Sequence, residues 1–155
     1  MKPALVAVLG TALCAVGTQA AQPTAAPPQP GFVWAEACKS CHAEQFEAWS
    51  KTKHARALER LSHEERQAES RCVGCHITGL KTPLASDGQV VNAGVQCEAC
   101  HGPGRDHVEA ATAGRAPDAR MVATPAERTC TGCHSEASPH FRGFFYSALK
   151  ALVHR

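Results

Sequence analysis

The pattern Cys-x-x-Cys-His occurs four times in the chain: at Cys38, Cys41 and His42; at Cys72, Cys75 and His76; at Cys97, Cys100 and His101; and at Cys130, Cys133 and His134. Two thiols three residues apart, followed at once by an imidazole, are what covalent attachment of a c-type haem requires. The thiols reach the two vinyl groups, and the histidine meets the iron from the proximal side. Four copies predict four covalently bound haem c groups, with iron in each. A zinc site can also use a Cys-x-x-Cys pair, but it makes no demand for histidine directly after every second cysteine. A disulfide framework makes no such demand either. Here the histidine follows four times out of four.

The rest of the composition fits a chain whose interior is not built from side chains. Only 5% of the 155 residues are aromatic, which leaves little apolar side-chain mass for a core. Four porphyrins would supply that mass, so the sequence predicts a haem stack wrapped by polypeptide. The formal net charge of +2 omits haem propionates and iron, so it says little about partners. Nothing in the pattern points to nucleic acid.

Residues 1–21 carry a basic start at Lys2, an apolar run from Ala4 to Val16 and small residues at Thr18, Ala20 and Ala21. This is the layout of a secretory signal peptide cleaved after Ala20 or Ala21. An uncleaved N-terminus would instead tether the chain to a membrane. Cys14 lies in this run behind Leu13, where a lipoprotein signal would want Gly or Ala. Removing the run leaves eight cysteines, all within motifs. Export predicts a periplasmic location, since c-type haem is attached outside the bacterial cytoplasmic membrane. Residues 22–31, rich in Pro and Ala, read as a linker, and residues 32–155 as one tetrahaem cytochrome domain.

Within that domain, Phe46, Trp49, Ala57, Leu58 and Leu61 recur at three- and four-residue intervals and predict a helix over 43–61. Ser62 to Ser70 reads as a charged, solvated continuation. Gly79, Pro83 and Asp87-Gly88 mark turns, with Gln89 to Val91 as a short strand of a small hairpin. Gly102-Pro103-Gly104 breaks the helix of the third motif, and Arg105 can start another. The stretch from Ala113 to Pro125 is loop-like, and a final helix is predicted from Phe144 to about Val153.

Nine histidines less four proximal ones leave His54, His63, His107, His140 and His154 for four distal positions. Methionine offers little competition, since only Met1 and Met121 exist. Bis-histidine ligation should therefore dominate, giving coordinatively full irons suited to passing electrons.

Three stretches carry a family resemblance. They are Cys41-His42 with Gln45-Phe46, Trp49 and His54; Gly94 to Gly104 with His107; and the closing Cys133-His134 followed by Ser138-Pro139, Phe141 and a terminal helix ending in His154. Together these resemble the cytochrome c-554 family of tetrahaem cytochromes over about Phe32 to His154. The resemblance implies a mainly α, loop-rich multihaem cytochrome c fold, with four covalent haems in stacked pairs forming the core. This packing is shared with larger octahaem enzymes such as hydroxylamine oxidoreductase. Carried over by position, it implies that His107 caps the first haem (proximal His42), His154 the third (proximal His101) and His54 the fourth (proximal His134). It leaves the second haem (proximal His76) five-coordinate. His140, and after it His63, are the alternatives that would close that iron.

Two functions follow as expectations. One is electron transfer between periplasmic or membrane-bound redox proteins. The other is binding or reduction of a small nitrogen oxide at an open second haem. The first is favoured, because an active site needs polar groups arranged over the iron, and near the second motif only Arg71, Thr78 and the His63 to Arg66 run are available.

Overall fold

The computed structural model describes residues 31–67, 72–79, 85–86, 89–116 and 120–153. The leader, most of the linker and His154 lie outside the described residues. Among the described residues there are eight short α-helices: α1 (Trp34–Lys39), α2 (Ala43–Ser50), α3 (His63–Gln67), α4 (Val73–His76), α5 (Cys97–His101), α6 (Arg105–Thr112), α7 (Glu127–Thr131) and α8 (Tyr146–Leu149). Two 3-10 turns, Leu58–Arg60 and Lys150–Leu152, accompany them. The strands β1 (Ala85–Ser86) and β2 (Gln89–Val90) pair antiparallel, Ala85 with Val90 and Ser86 with Gln89. The fold is mainly helical and loop-rich. Among the described residues no helix is long and apolar enough to cross a membrane.

Helices of four to eight residues are too short to stand alone in water, so each needs an anchor elsewhere. Leu58, Leu61, Val73 and Ile77 form a small buried cluster, with Val90 and Ala93 packed against it. Beside the cluster runs a buried polar seam. The fully buried Thr78 hydroxyl donates to the Gly94 carbonyl at 2.9 Å and accepts the Gln96 N–H at 2.7 Å. The Asn92 amide donates to the Thr78 carbonyl, while the Gln96 amide donates to the carbonyls of Val91 and Ala93. The seam thus joins the second motif to the third without apolar bulk.

The predicted helix over 43–61 ends early, at Ser50. The Thr52 hydroxyl donates to the Trp49 carbonyl at 2.7 Å and receives the Ala55 N–H at 3.3 Å. A short hydroxyl side chain thus offers the backbone a local alternative to the helical ladder. Further on, the His54 carbonyl accepts from Val95 N–H at 2.9 Å, a tertiary bond that periodicity does not encode. The charged stretch after Leu61 forms α3 behind a capping box: Glu65 N–H donates to the Ser62 hydroxyl, and Ser62 N–H to the Glu65 carboxylate at 2.7 Å. The C-terminal helix is also shorter than its apolar stripe predicts, because Phe145, Leu149 and Leu152 are exposed and supply no packing to extend it.

Candidate functional site

Each Cys-x-x-Cys-His motif sits on a helical turn. In the first and fourth, the histidine N–H donates to the carbonyl of the leading cysteine at 2.9 Å (His42 to Cys38, His134 to Cys130). The second caps and fills α4 and the third is α5 itself. On such a turn, residues three and four apart share a face, so the two thiols and the imidazole are presented together.

The proximal imidazoles meet two kinds of partner. His76 Nδ1 lies 2.6 Å from the Ala57 carbonyl, and His101 Nδ1 lies 2.6 Å from the Val122 carbonyl. A carbonyl only accepts, so Nδ1 carries the proton in both rings and the Nε2 lone pair is left for a metal. The other two proximal rings face second imidazoles. His42 and His107 have ring centroids 6.2 Å apart, and His54 and His134 have theirs 6.0 Å apart. An iron between two imidazoles fits such a gap: two metal–nitrogen bonds of about 2 Å, plus about 1 Å from nitrogen to ring centre on each side, come to roughly 6 Å. Burial, and then the charge of His134, hold His54 below its ordinary value, which favours the neutral imidazole that ligates. Phe144 stacks on His134 at 4.9 Å.

His107 is the third residue of α6, just after the Gly102-Pro103-Gly104 break. His63 and His140 are exposed. Among the described residues, neither these nor any other imidazole makes a ring contact with His76. Likewise, no three His, Cys, Asp or Glu side chains cluster there as a metal cage would need, and the eight motif cysteines are unpaired. The thiols do neighbour one another across motifs. A hydrogen bond to Cys97, then burial, pushes the Cys38 thiol up, while Cys97 falls to about 7 as the acceptor of that bond. Burial, then a hydrogen bond to Cys75, pushes Cys133 up to about 12. Burial raises Cys100, and Cys130 and Cys97 add to it.

Sequence reasoning does not single out Gln96, Glu98 and Asn92, and it offers Thr78 only as a polar group near the second motif. All four are buried and hydrogen-bonded among the motifs. The available signal was Glu98, a charged residue in a variable position of a motif that is otherwise thiol, imidazole and small side chain.

Helical turns that present two thiols and an imidazole, with imidazole pairs at iron-spanning distance, define a c-type cytochrome with covalently bound haem c. The chain is similar to the cytochrome c-554 family over part of its length. The family described as "Cytochrome c554 and c-prime" matches residues 37–102. Cytochrome c-554 of Nitrosomonas europaea (strain ATCC 19718) is 30% identical over 135 residues, 66% of this chain and 57% of that protein. The chain therefore spans little more than half the length of that relative. Among solved structures, the reduced state of cytochrome c554 from Nitrosomonas europaea is 26% identical, covering 83% of this chain and 79% of that one, with a TM-score of 0.43. The outer cell wall cytochrome OcwA is 21% identical, covering 68% of this chain and 37% of its own, with a TM-score of 0.45.

Proposed function

We propose that this chain is a periplasmic, signal-peptide-exported electron carrier that holds four haem c groups and passes electrons between periplasmic or membrane-bound redox proteins. The observation that carries this reading is the pairing of imidazoles at iron-spanning distance, His42 with His107 at 6.2 Å and His54 with His134 at 6.0 Å, with the first motif tied to the third through Glu98 and Gln96. Porphyrins held on motifs this close in space would be separated by short gaps, which is what electron tunnelling needs. Haem, when bound, supplies a one-electron ferric/ferrous couple. The chain's own residues would hold it: His42 with His107 and His134 with His54, and, as the family resemblance implies, His101 with His154. The Ala57 and Val122 carbonyls fix the tautomers of His76 and His101. Exposed Phe145 (74%) and Leu152 (52%) offer apolar surface to cover porphyrin faces.

A second reading is favoured by one observation. His76 makes no contact with another imidazole among the described residues, so a small ligand such as a nitrogen oxide would find the second iron open. Electron paramagnetic resonance of the oxidised protein separates the two. A wholly low-spin spectrum removes the ligand-binding reading, whereas a high-spin component that binds carbon monoxide supports it. Replacing His54, His107 or His154 singly with Ala should turn one further haem high-spin in each case. Mass spectrometry should give the mature polypeptide, starting at Ala21 or Gln22, plus four haem masses. A colourless product, or one of bare polypeptide mass, would end the proposal.

A further inference from the structure

Glu98 is 3% exposed. Its carboxylate accepts backbone N–H groups from three residues: Val33 at 3.0 and 3.2 Å, Trp34 at 2.8 Å and Gly104 at 2.7 Å. Val33 and Trp34 open α1, which runs directly into the first motif, and Gly104 is the N-cap residue of α6, three residues before His107. One carboxylate thus joins the segment leading to His42 to the segment carrying His107, whose rings stand 6.2 Å apart. The neighbouring bonds run across the same junction. Arg105 donates through its N–H to the Gly31 carbonyl at 3.0 Å and through its guanidinium to the Phe32 carbonyl at 3.1 Å, while the Gln96 amide oxygen accepts Ala35 N–H at 2.8 Å. Trp34 has φ +67°, a left-handed conformation that a bulky residue keeps only when its surroundings hold it. The Glu98 carboxylate is its N–H acceptor. Converging N–H donors need an acceptor with two oxygens and no hydrogen of its own, which a carboxylate provides and an amide does not.

We propose that Glu98 is a positioning residue for the first haem: it locks α1 to α6 so that His42 and His107 stand at iron-spanning distance, and it sets a buried negative charge beside that junction. This rests on the His42/His107 pairing proposed above. The test compares full-length, haem-loaded Glu98→Gln, Glu98→Ala and His107→Ala by haem mass, spin resonance and redox titration. His107→Ala should make one haem high-spin. Glu98→Ala should make the same haem partly high-spin, and combining the two changes should add no further high-spin haem. Glu98→Gln keeps the volume but turns an NH2 toward one of the donors. It should shift the low-spin g-values of that haem alone and raise its potential, since a nearby negative charge stabilises the ferric form and its loss favours the ferrous one. Wild-type g-values and potential in both Glu98 variants would overturn the proposal. So would equal changes at several haems, or failure of both Glu98 variants to hold haem while His107→Ala holds it, because Glu98 would then serve folding in general. A wholly low-spin His107→Ala overturns the pairing itself, and the role of Glu98 with it.

Discussion

At Gly94, φ is +80° and a Cβ would come within 2.3 Å of the Ala55 carbonyl oxygen and 2.9 Å of that of His54. Only glycine fits where the chain before the third motif crosses the turn that carries a proposed iron ligand. Gly94→Ala should therefore cost at least about 2 kcal/mol, combining the left-handed backbone with the clash. It should also displace His54, read as a lower denaturation midpoint together with a partly high-spin haem. Thr78 is a second such point. Its hydroxyl makes two buried hydrogen bonds, so the isosteric Thr78→Val should lose about 2–4 kcal/mol by stranding a buried carbonyl and a buried N–H. Chemical denaturation of the haem-loaded protein measures this, and Thr78→Ser should recover most of it. The motif residues were legible in the sequence because attachment chemistry dictates their spacing. Thr78 was not, since a threonine between Ile77 and Gly79 has no pattern that announces a buried hydroxyl.

Two of the short helices, α2 and α3, are fixed at one end by a specific bond instead of along their length by a packed stripe. In α2 the Trp49 indole N–H donates to the Val95 carbonyl at 2.8 Å, pulling the helix end onto the segment before the third motif. In α3 the capping box between Ser62 and Glu65 starts the helix without any apolar face. Ser62→Ala should cost about 1 kcal/mol, confined to this element. Amide hydrogen exchange should show faster exchange in His63 to Gln67, with the protection of α4 and α5 unchanged. The Ser-x-x-Glu signature was present in the sequence as Ser62-His63-Glu64-Glu65, but its charge masked it as a solvated continuation. The small hairpin and the start of α6 at Arg105 were legible, because Gly and Pro mark chain reversals locally. The early end of α2 was not, because besides the Thr52 hydroxyl it is held by the Val95 carbonyl, 46 positions beyond Trp49.

At the scale of the whole molecule, the buried hydrophobic side chains among the described residues are Ala35, Ala57, Leu58, Leu61, Val73, Ile77 and Ala110, three of them alanines. A core this small cannot offset the chain entropy of a domain this long, so bound haem must complete it. The polypeptide made without haem attachment should show no cooperative thermal transition by circular dichroism, whereas the loaded protein should unfold in a sharp one. A sharp transition in the haem-free chain would place the stability in side chains after all. The sequence by itself determined the chemistry, since thiol and imidazole spacing on one helical turn is a local property that four short motifs state in full. Only the tertiary structure decided which imidazoles face each other, which carbonyls fix the histidine tautomers and which carboxylate ties the first motif to α6. These contacts join residues tens of positions apart, and nothing in the local pattern of a chain fixes where its distant segments meet.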